Sequence, residues 1–229
     1  MAREYEINEL AKGDSWRMFR IIGELVEGFD KLADIEPAVS IYGSARIKPE
    51  DKLYQQTEEI ARRIGEMGFS IVTGGGPGVM EAANKGARAA GVISVGLNIK
   101  LPEEQVCNVY ANRSITFNHF FVRKIMLVKY ARAFVIMPGG LGTLDEMTEL
   151  LTLMQTQKIK PFPVVLFDSS YWAGLLDWLR NEALQRDFIS AEDFDLLRVC
   201  DDIDELVEII RRWSADKEVT GKKAVAPTI

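Results

Sequence analysis

Apolar positions along the chain follow two rhythms. Residues 14–33 carry Phe19, Ile22, Val26 and Phe29 at helical spacing, which predicts an amphipathic helix. From residue 38 the rhythm changes to short, almost continuous apolar runs at 38–43, 69–73, 92–97, 133–137 and 163–167. Runs of that kind predict strands buried on both faces. Between them lie patterns that predict helices over 50–67, from Gly78 to about Ala90, over 118–131 and over 143–157. Gly91 is a natural C-terminal stop for the second of these. A short strand is expected from Ser114 to Phe117, after a loop over 98–112 that holds Pro102, Glu103 and Glu104. Helices near 170–185 and 202–213 complete the pattern, and from Ser214 the composition reads as a frayed tail. Strands alternating with helices specify an α/β fold, a three-layer, Rossmann-like, doubly wound and mainly parallel sheet with helices on both faces. The expected organisation is an N-terminal helical extension (1–35), one α/β domain (36–213) and a disordered tail (214–229), without internal repeats.

Glycine-bearing turns stand where strands end: Gly43-Ser44, Gly74–Gly78 and Gly139–Gly142. Ligands of such sheets bind beyond the carboxyl ends of the strands, so the convergence of these turns points to a phosphate-bearing ligand. The middle turn is not a dinucleotide fingerprint. Counted from Gly74 the third glycine position is Val79, and counted from Gly76 it is Glu81. The next strand ends in Val95-Gly96-Leu97-Asn98, without an acid for a ribose, and no P-loop motif is present. That turn reads either as a ligand contact through Gly75, Gly76 and Gly78 or as a tight entry into a close-packed helix.

The segment Pro138-Gly139-Gly140-Leu141-Gly142-Thr143-Leu144-Asp145-Glu146 also supports two readings. Thr143 and Glu146 fit a capping box, with Thr143 at the N-cap. Alternatively the glycines present free N–H groups to an anion, and Glu146, lying off the stripe of Leu144, Met147, Leu151 and Met154, faces a cleft. Arg123 and Lys124 interrupt the apolar run Phe120-Phe121-Val122 and Ile125-Met126-Leu127. They either snorkel to solvent or meet partners, for which a bound phosphate or Glu146 would serve.

Composition narrows the chemistry. The 229 residues are 47% hydrophobic and 27% charged, ordinary for a globular chain, and the net charge of −6 argues against a nucleic-acid binder. His119 is the single histidine, which nearly excludes multi-histidine metal sites and histidine-based triads, and it reads as a polar residue at a helix start rather than a catalytic one. Acid–base work falls to carboxylates, and no metal or cofactor is called for. Cys107 and Cys200 lack metal-type spacing and are expected to be reduced thiols of a cytoplasmic protein. No run is long enough for a membrane span, and the N-terminus does not read as a signal peptide.

Gly74-Gly75-Gly76-Pro77-Gly78-Val79-Met80-Glu81, Arg123-Lys124 and the Pro-Gly-Gly-x-Gly-Thr-x-x-Glu segment ending at Glu146 resemble, in order and spacing, the LOG family. Its members are cytokinin riboside 5′-monophosphate phosphoribohydrolases, often labelled "possible lysine decarboxylase". The resemblance covers roughly residues 36–213. It implies hydrolysis of the N-glycosidic bond of a nucleoside 5′-monophosphate, of AMP or cytokinin type, to free base and ribose 5-phosphate. It further implies Arg123 and Glu146 as the catalytic pair. Substrate contacts are implied for Gly43, Ser44, Gly75, Gly76, Gly78, Glu104, Lys124, Gly139, Gly140, Leu141, Gly142, Thr143 and Thr152. The implied assembly is a homodimer or larger homo-oligomer with shared active sites. Arg123 is expected to orient Glu146 and keep it ionised. Thr152 lies on another face of its helix and would reach the ligand only from a partner subunit or through a bend.

The chain departs from the plant-type pattern at Glu81, where a small residue is usual, at Asn118–Val122, and in its N-terminal helix. A non-catalytic carrier of a phosphorylated ligand, of the molybdenum-cofactor-carrier kind, is the alternative on the same fold. Decarboxylation is disfavoured, because no lysine is marked for a Schiff base.

Overall fold

The computed structural model describes residues 14–101 and 108–219. Seven strands form one parallel sheet: β1 (Ala38–Tyr42), β2 (Ser70–Thr73), β3 (Ser94–Ile99), β4 (Arg113–Phe117), β5 (Ala131–Ile136), β6 (Val164–Phe167) and β7 (Leu197–Cys200). Among the described residues seven α-helices accompany them: α1 (Asp14–Lys31), α2 (Lys52–Glu66), α3 (Val79–Ala89), α4 (Phe120–Lys129), α5 (Leu141–Gln155), α6 (Ser169–Trp178) and α7 (Ile203–Val219). The strand order is β4-β3-β2-β1-β5-β6-β7, and every pair is parallel. Chain order reverses between β1 and β5, so the crevice at their carboxyl ends is the topological switch point.

The doubly wound, three-layer expectation holds. Leu32, Val122, Met126, Met147, Leu150 and Trp172 form the core on one face of the sheet. Ile60, Ile64, Val79, Ala83, Leu206 and Ile210 form it on the other. Each fully buried aliphatic or aromatic side chain is worth about 1.5–3 kcal/mol relative to exposure, and these two layers hold the strands' continuous apolar runs from both sides. The small residues of α3 have a purpose in this packing. A Cβ at Gly86 would collide with the Glu58 carbonyl of α2, so α2 and α3 approach as closely as their backbones allow.

The elements differ from the sequence reading in several places. β7 was missed: it has four residues, and Arg198 breaks its apolar run, which a sheet edge tolerates. β3 runs to Ile99 rather than ending at 97, because Asn98 is buried in the strand. The expected helix at 170–185 is α6 followed by a π-helical turn, Leu179–Leu184. α7 continues to Val219, past the expected start of the tail at Ser214.

α1 lies against α4. Its inner face carries Ile21, Leu25 and Gly28, the last of which leaves room for Met126. Glu24 is buried on that face and caps the start of α4. Its carboxylate accepts from Asn118 N (3.2 Å), Asn118 Nδ2 (2.7 Å) and His119 N (3.3 Å) and lies 3.2 Å from His119 Nδ1. Burial alone would raise the Glu24 pKa, but these bonds outweigh it and hold it below the ordinary value.

Candidate functional site

At the switch point the glycine turns interlock. Met137 N donates to Tyr42 O (2.8 Å), Ser44 N to Pro138 O (3.0 Å) and Val79 N to Ser44 O (2.9 Å). The end of β1 is thereby tied to the turns after both β5 and β2. A Cβ at Gly43 would press on the Val79 side chain at 2.6 Å, and one at Gly78 would strike the backbone of Ser44 and Ala45. Gly78 also sits at φ +69° as the N-cap of α3, a conformation open to glycine. At Gly139 a Cβ would meet both Thr143 Oγ1 and Ser44 N. Tyr171 Oη secures the same residue by donating to Gly139 O at 2.5 Å.

α5 begins three residues earlier than the capping-box reading requires. Gly140 is its N-cap, without a side-chain cap, and Thr143 is the third helical residue, buried against Gly139. The capping box is therefore absent, and Glu146 does not turn back to cap the helix. The N–H groups of Leu141, Gly142 and Thr143 have no carbonyl one turn back, which leaves them open to an anion. Leu141 is 85% exposed, and nothing would obstruct a Cβ at Gly140 or Gly142.

Glu146 pairs with Arg123 instead. Arg123 Nη1 lies 3.3 Å from Glu146 Oε1, with the two side chains 10% and 15% exposed. Arg123 Nε donates to Leu97 O at 2.7 Å, and its other guanidinium nitrogen lies against Gly74, where a Cβ would displace it. Gly74 thus serves the arginine rather than a phosphate. Burial is the largest influence on Glu146 and raises its pKa, the Arg123 charge opposes it, and the result is a pKa above the ordinary value. The Arg123 charge acts in the expected direction, favouring the ionised carboxylate, against the larger effect of burial. Lys124, on the next position of α4, bonds Asp145 (2.8 Å) and Glu149 (3.0 Å). Its burial would lower the pKa, but those two carboxylates outweigh that and raise it.

The Gly74–Gly78 loop is held by asparagines that sequence reasoning passed over. Asn84, fully buried on α3, accepts from Thr73 Oγ1 (2.6 Å) and donates to Ser94 Oγ (2.8 Å). Asn108 Nδ2 donates to Gly76 O (3.1 Å) and to Asn84 Oδ1 (3.0 Å). Asn98 packs on Gly75, which adopts φ +72°, and among the described residues its buried Oδ1 has no donor. A polar side chain inside an otherwise apolar strand was the available signal, and Asn98 and Ser94 both carry it. The unusual Glu81 accepts from Tyr54 Oη at 2.9 Å, so α2 engages its carboxylate.

The remaining expected site residues fall elsewhere. Thr152 is exposed on α5, bonded back to Thr148 O (2.8 Å), and lines a separate apolar groove with Leu175, Leu179 and Phe194. It is not gathered with Arg123 and Glu146. Glu104 and Cys107 lie outside the described residues. Among the described residues no group of three or more acidic, histidine or cysteine side chains could hold a metal, and no helix is long and apolar enough to cross a membrane.

Residues 80–210 match the family described as possible lysine decarboxylase. The chain is 29% identical over 173 residues to a cytokinin riboside 5′-monophosphate phosphoribohydrolase of Mycobacterium marinum, covering 74% of this chain and 91% of that one. It is 30% identical over 158 residues to the protein of the same description from Mycobacterium tuberculosis, covering 66% and 82%. Among solved structures it resembles the molybdenum cofactor carrier protein of Chlamydomonas reinhardtii, with TM-score 0.57 and 22% identity, over 78% of this chain and 98% of that one. That likeness bears on the fold alone.

Proposed function

The chain belongs to the possible lysine decarboxylase (LOG) family, and from that premise we propose that it hydrolyses the N-glycosidic bond of nucleoside 5′-monophosphates. The observation that carries this reading is the buried Arg123–Glu146 pair beside an open, uncapped helix start at the switch point. A carrier of a phosphorylated ligand has use for the helix start but none for a buried carboxylate with a raised pKa. The mycobacterial relatives, named for this reaction, support the same choice.

In the proposed reaction the 5′-phosphate binds the N–H groups of Gly140–Thr143, aided by the turns at Gly43-Ser44 and Gly75–Gly78. Its binding energy positions the ribose over Glu146. Positive charge develops on the sugar as the C1′–N bond breaks, and the ionised carboxylate stabilises it. Glu146 takes a proton from water, the water oxygen bonds C1′, the electron pair of the C1′–N bond leaves with the base, which takes a proton from solvent, and Glu146 returns its own proton to solvent. A pKa raised by burial suits a group that must accept a proton near neutrality. Arg123, fixed by Leu97 O, orients the carboxylate, and Lys124 supplies positive charge beside it. No metal or cofactor enters the scheme. The working protein is cytoplasmic and a homo-oligomer, and Thr152 and Glu104 contribute only if a partner subunit or the 102–107 segment brings them in.

Incubation with AMP, CMP, GMP, UMP and isopentenyl-AMP, followed by an assay for free base, tests this reading. Base release that disappears in Glu146→Gln is expected. Tight nucleotide binding without release, unaltered by that substitution, would overturn it in favour of a carrier.

A further inference from the structure

α1 buries one face and leaves the opposite face both apolar and exposed. Trp16 (73% exposed), Phe19 (66%), Ile22 (49%), Val26 (60%) and Phe29 (40%) run along it as a ridge on a helix about 27 Å long. The inner face, with Glu24, Gly28 and Leu32, already packs on the domain, so this ridge is surplus to the fold. Next to it, Phe120 and Phe121 are exposed at the start of α4, where the His119 ring touches both Glu24 and Phe121. Together these side chains expose several hundred Å², more than scattered surface residues account for.

We propose that the ridge is covered by the α1 of a second copy of this chain, packed antiparallel about a two-fold axis near Glu24. The four ridge residues that flank Glu24 form a palindrome, and Trp16 extends the ridge beyond it. Phe19 and Phe29 lie equally far before and after Glu24, and so do Ile22 and Val26. An antiparallel copy therefore sets Phe19 against Phe29 and Ile22 against Val26 in one register, as an isologous contact requires. The charges follow it to within one residue. Arg20 stands four positions before Glu24 and Glu27 three after it, on one edge of the helix, so inversion brings Arg20 of each copy beside Glu27 of the other with an axial offset of about 1.5 Å, which long side chains span.

Gly23 completes the case. It sits in mid-helix on the outer side, where glycine weakens a helix by roughly 1 kcal/mol relative to alanine, and no atom lies within 4 Å of where its Cβ would stand. Among the described residues nothing uses that gap. At the crossing point of two helices it would let the backbones approach closely. The exposed apolar area is on the scale of the roughly 800 Å² per partner that stable interfaces bury. This interface is independent of the reaction proposed above.

Sedimentation velocity and light scattering at micromolar concentration test it on the full chain. The parent protein is expected to have at least twice its 25.7 kDa chain mass. A Phe19→Asp/Val26→Asp double variant is expected at half the parent mass, with unchanged circular dichroism because both positions are exposed. Arg20→Glu should weaken association several-fold, and Arg20→Glu combined with Glu27→Arg should restore it. A parent protein at monomer mass would overturn the proposal, including one whose ridge binds anionic vesicles instead. So would a Phe19→Asp/Val26→Asp variant of parental mass, or a charge reversal that fails to rescue.

Discussion

Arg123 is held more closely by the sheet than by its carboxylate partner: Nε lies 2.7 Å from Leu97 O, whereas Nη1 lies 3.3 Å from Glu146 Oε1. The guanidinium is thus placed by backbone, with Gly74 vacating the space it fills, and is in position before any ligand arrives. Glu146 has the looser bond and the raised pKa, which are the properties of a group left free to react.

Glu146→Gln is expected to abolish base release, by on the order of 10²–10³ at least, the usual loss when a group that stabilises developing charge is removed. The melting temperature of the unliganded protein should hold or rise, since burial makes the ionised carboxylate unfavourable in the folded state. Calorimetry beside the base-release assay separates the two effects.

Arg123→Lys keeps the charge and loses the planar fork that reaches Leu97 O and Glu146 together. Turnover should fall about a hundredfold, as for a misplaced catalytic group, and more than KM changes. A variant whose kcat stays near the parent value would argue against Arg123 as the orienting residue.

The pH dependence has opposite signs at Glu146 and Glu24. The Glu146 pKa is raised by burial, so activity that needs the ionised form should fall on acidification in a limb above the ordinary carboxylate range. In stability the folded chain gains from protonating Glu146, so its penalty is relieved as pH falls through that raised value. The Glu24 pKa is lowered despite burial, because Asn118 and His119 bond its carboxylate. Its stabilisation is present above the ordinary value of 4.5 and is lost as pH falls through the lower folded value. The parent's activity profile should show the acid limb of Glu146, and denaturation profiles against pH should show two opposed contributions, the first absent in Glu146→Gln and the second in Glu24→Gln.

Glu24→Ala removes acceptors from Asn118 N and His119 N at the start of the helix that carries Arg123 and Lys124. A loss of about 1–2 kcal/mol is expected, comparable to a lost helix cap, measurable by denaturant titration. Glu24→Gln should retain part of it.

The glycines of the Pro138–Thr143 segment should separate by role. Gly139→Ala drives a methyl into Thr143 and the Ser44 N–H and should destabilise the fold by about 1–3 kcal/mol, as overpacking does. Gly142→Ala meets open space inside a helix and should stabilise it by up to about 1 kcal/mol. If Gly142 N–H contacts phosphate as proposed, KM should rise in that same stable variant. Thermal melts and steady-state kinetics on both variants check the division.

The segments legible in the sequence were those with long local signals. β1, β2, β5 and β6 are continuous apolar runs, and the helices between them carry clear caps, stops or stripes. Arg123 stands out because charge inside an apolar pattern demands a partner, and Glu146 because it lies beside a glycine turn suited to an anion and off the apolar stripe of its helix. What escaped was short or non-local. β7 depends on pairing with β6 and tolerates Arg198 because it is an edge. Asn84, Asn108 and Tyr171 act on backbone groups distant in sequence, and no local pattern marks them.

The order of elements, the position of each glycine turn and the residue types available for acid–base work are determined by the sequence alone, because periodicity and backbone freedom are local properties. The tertiary structure decided that Thr143 does not cap α5, that Gly74 makes room for Arg123, and that Glu146 is pushed up in pKa although an arginine is its neighbour. Those outcomes depend on which turns meet at the switch point and how much water they exclude. Burial and close approach belong to the packed sheet and cannot be read from any single segment.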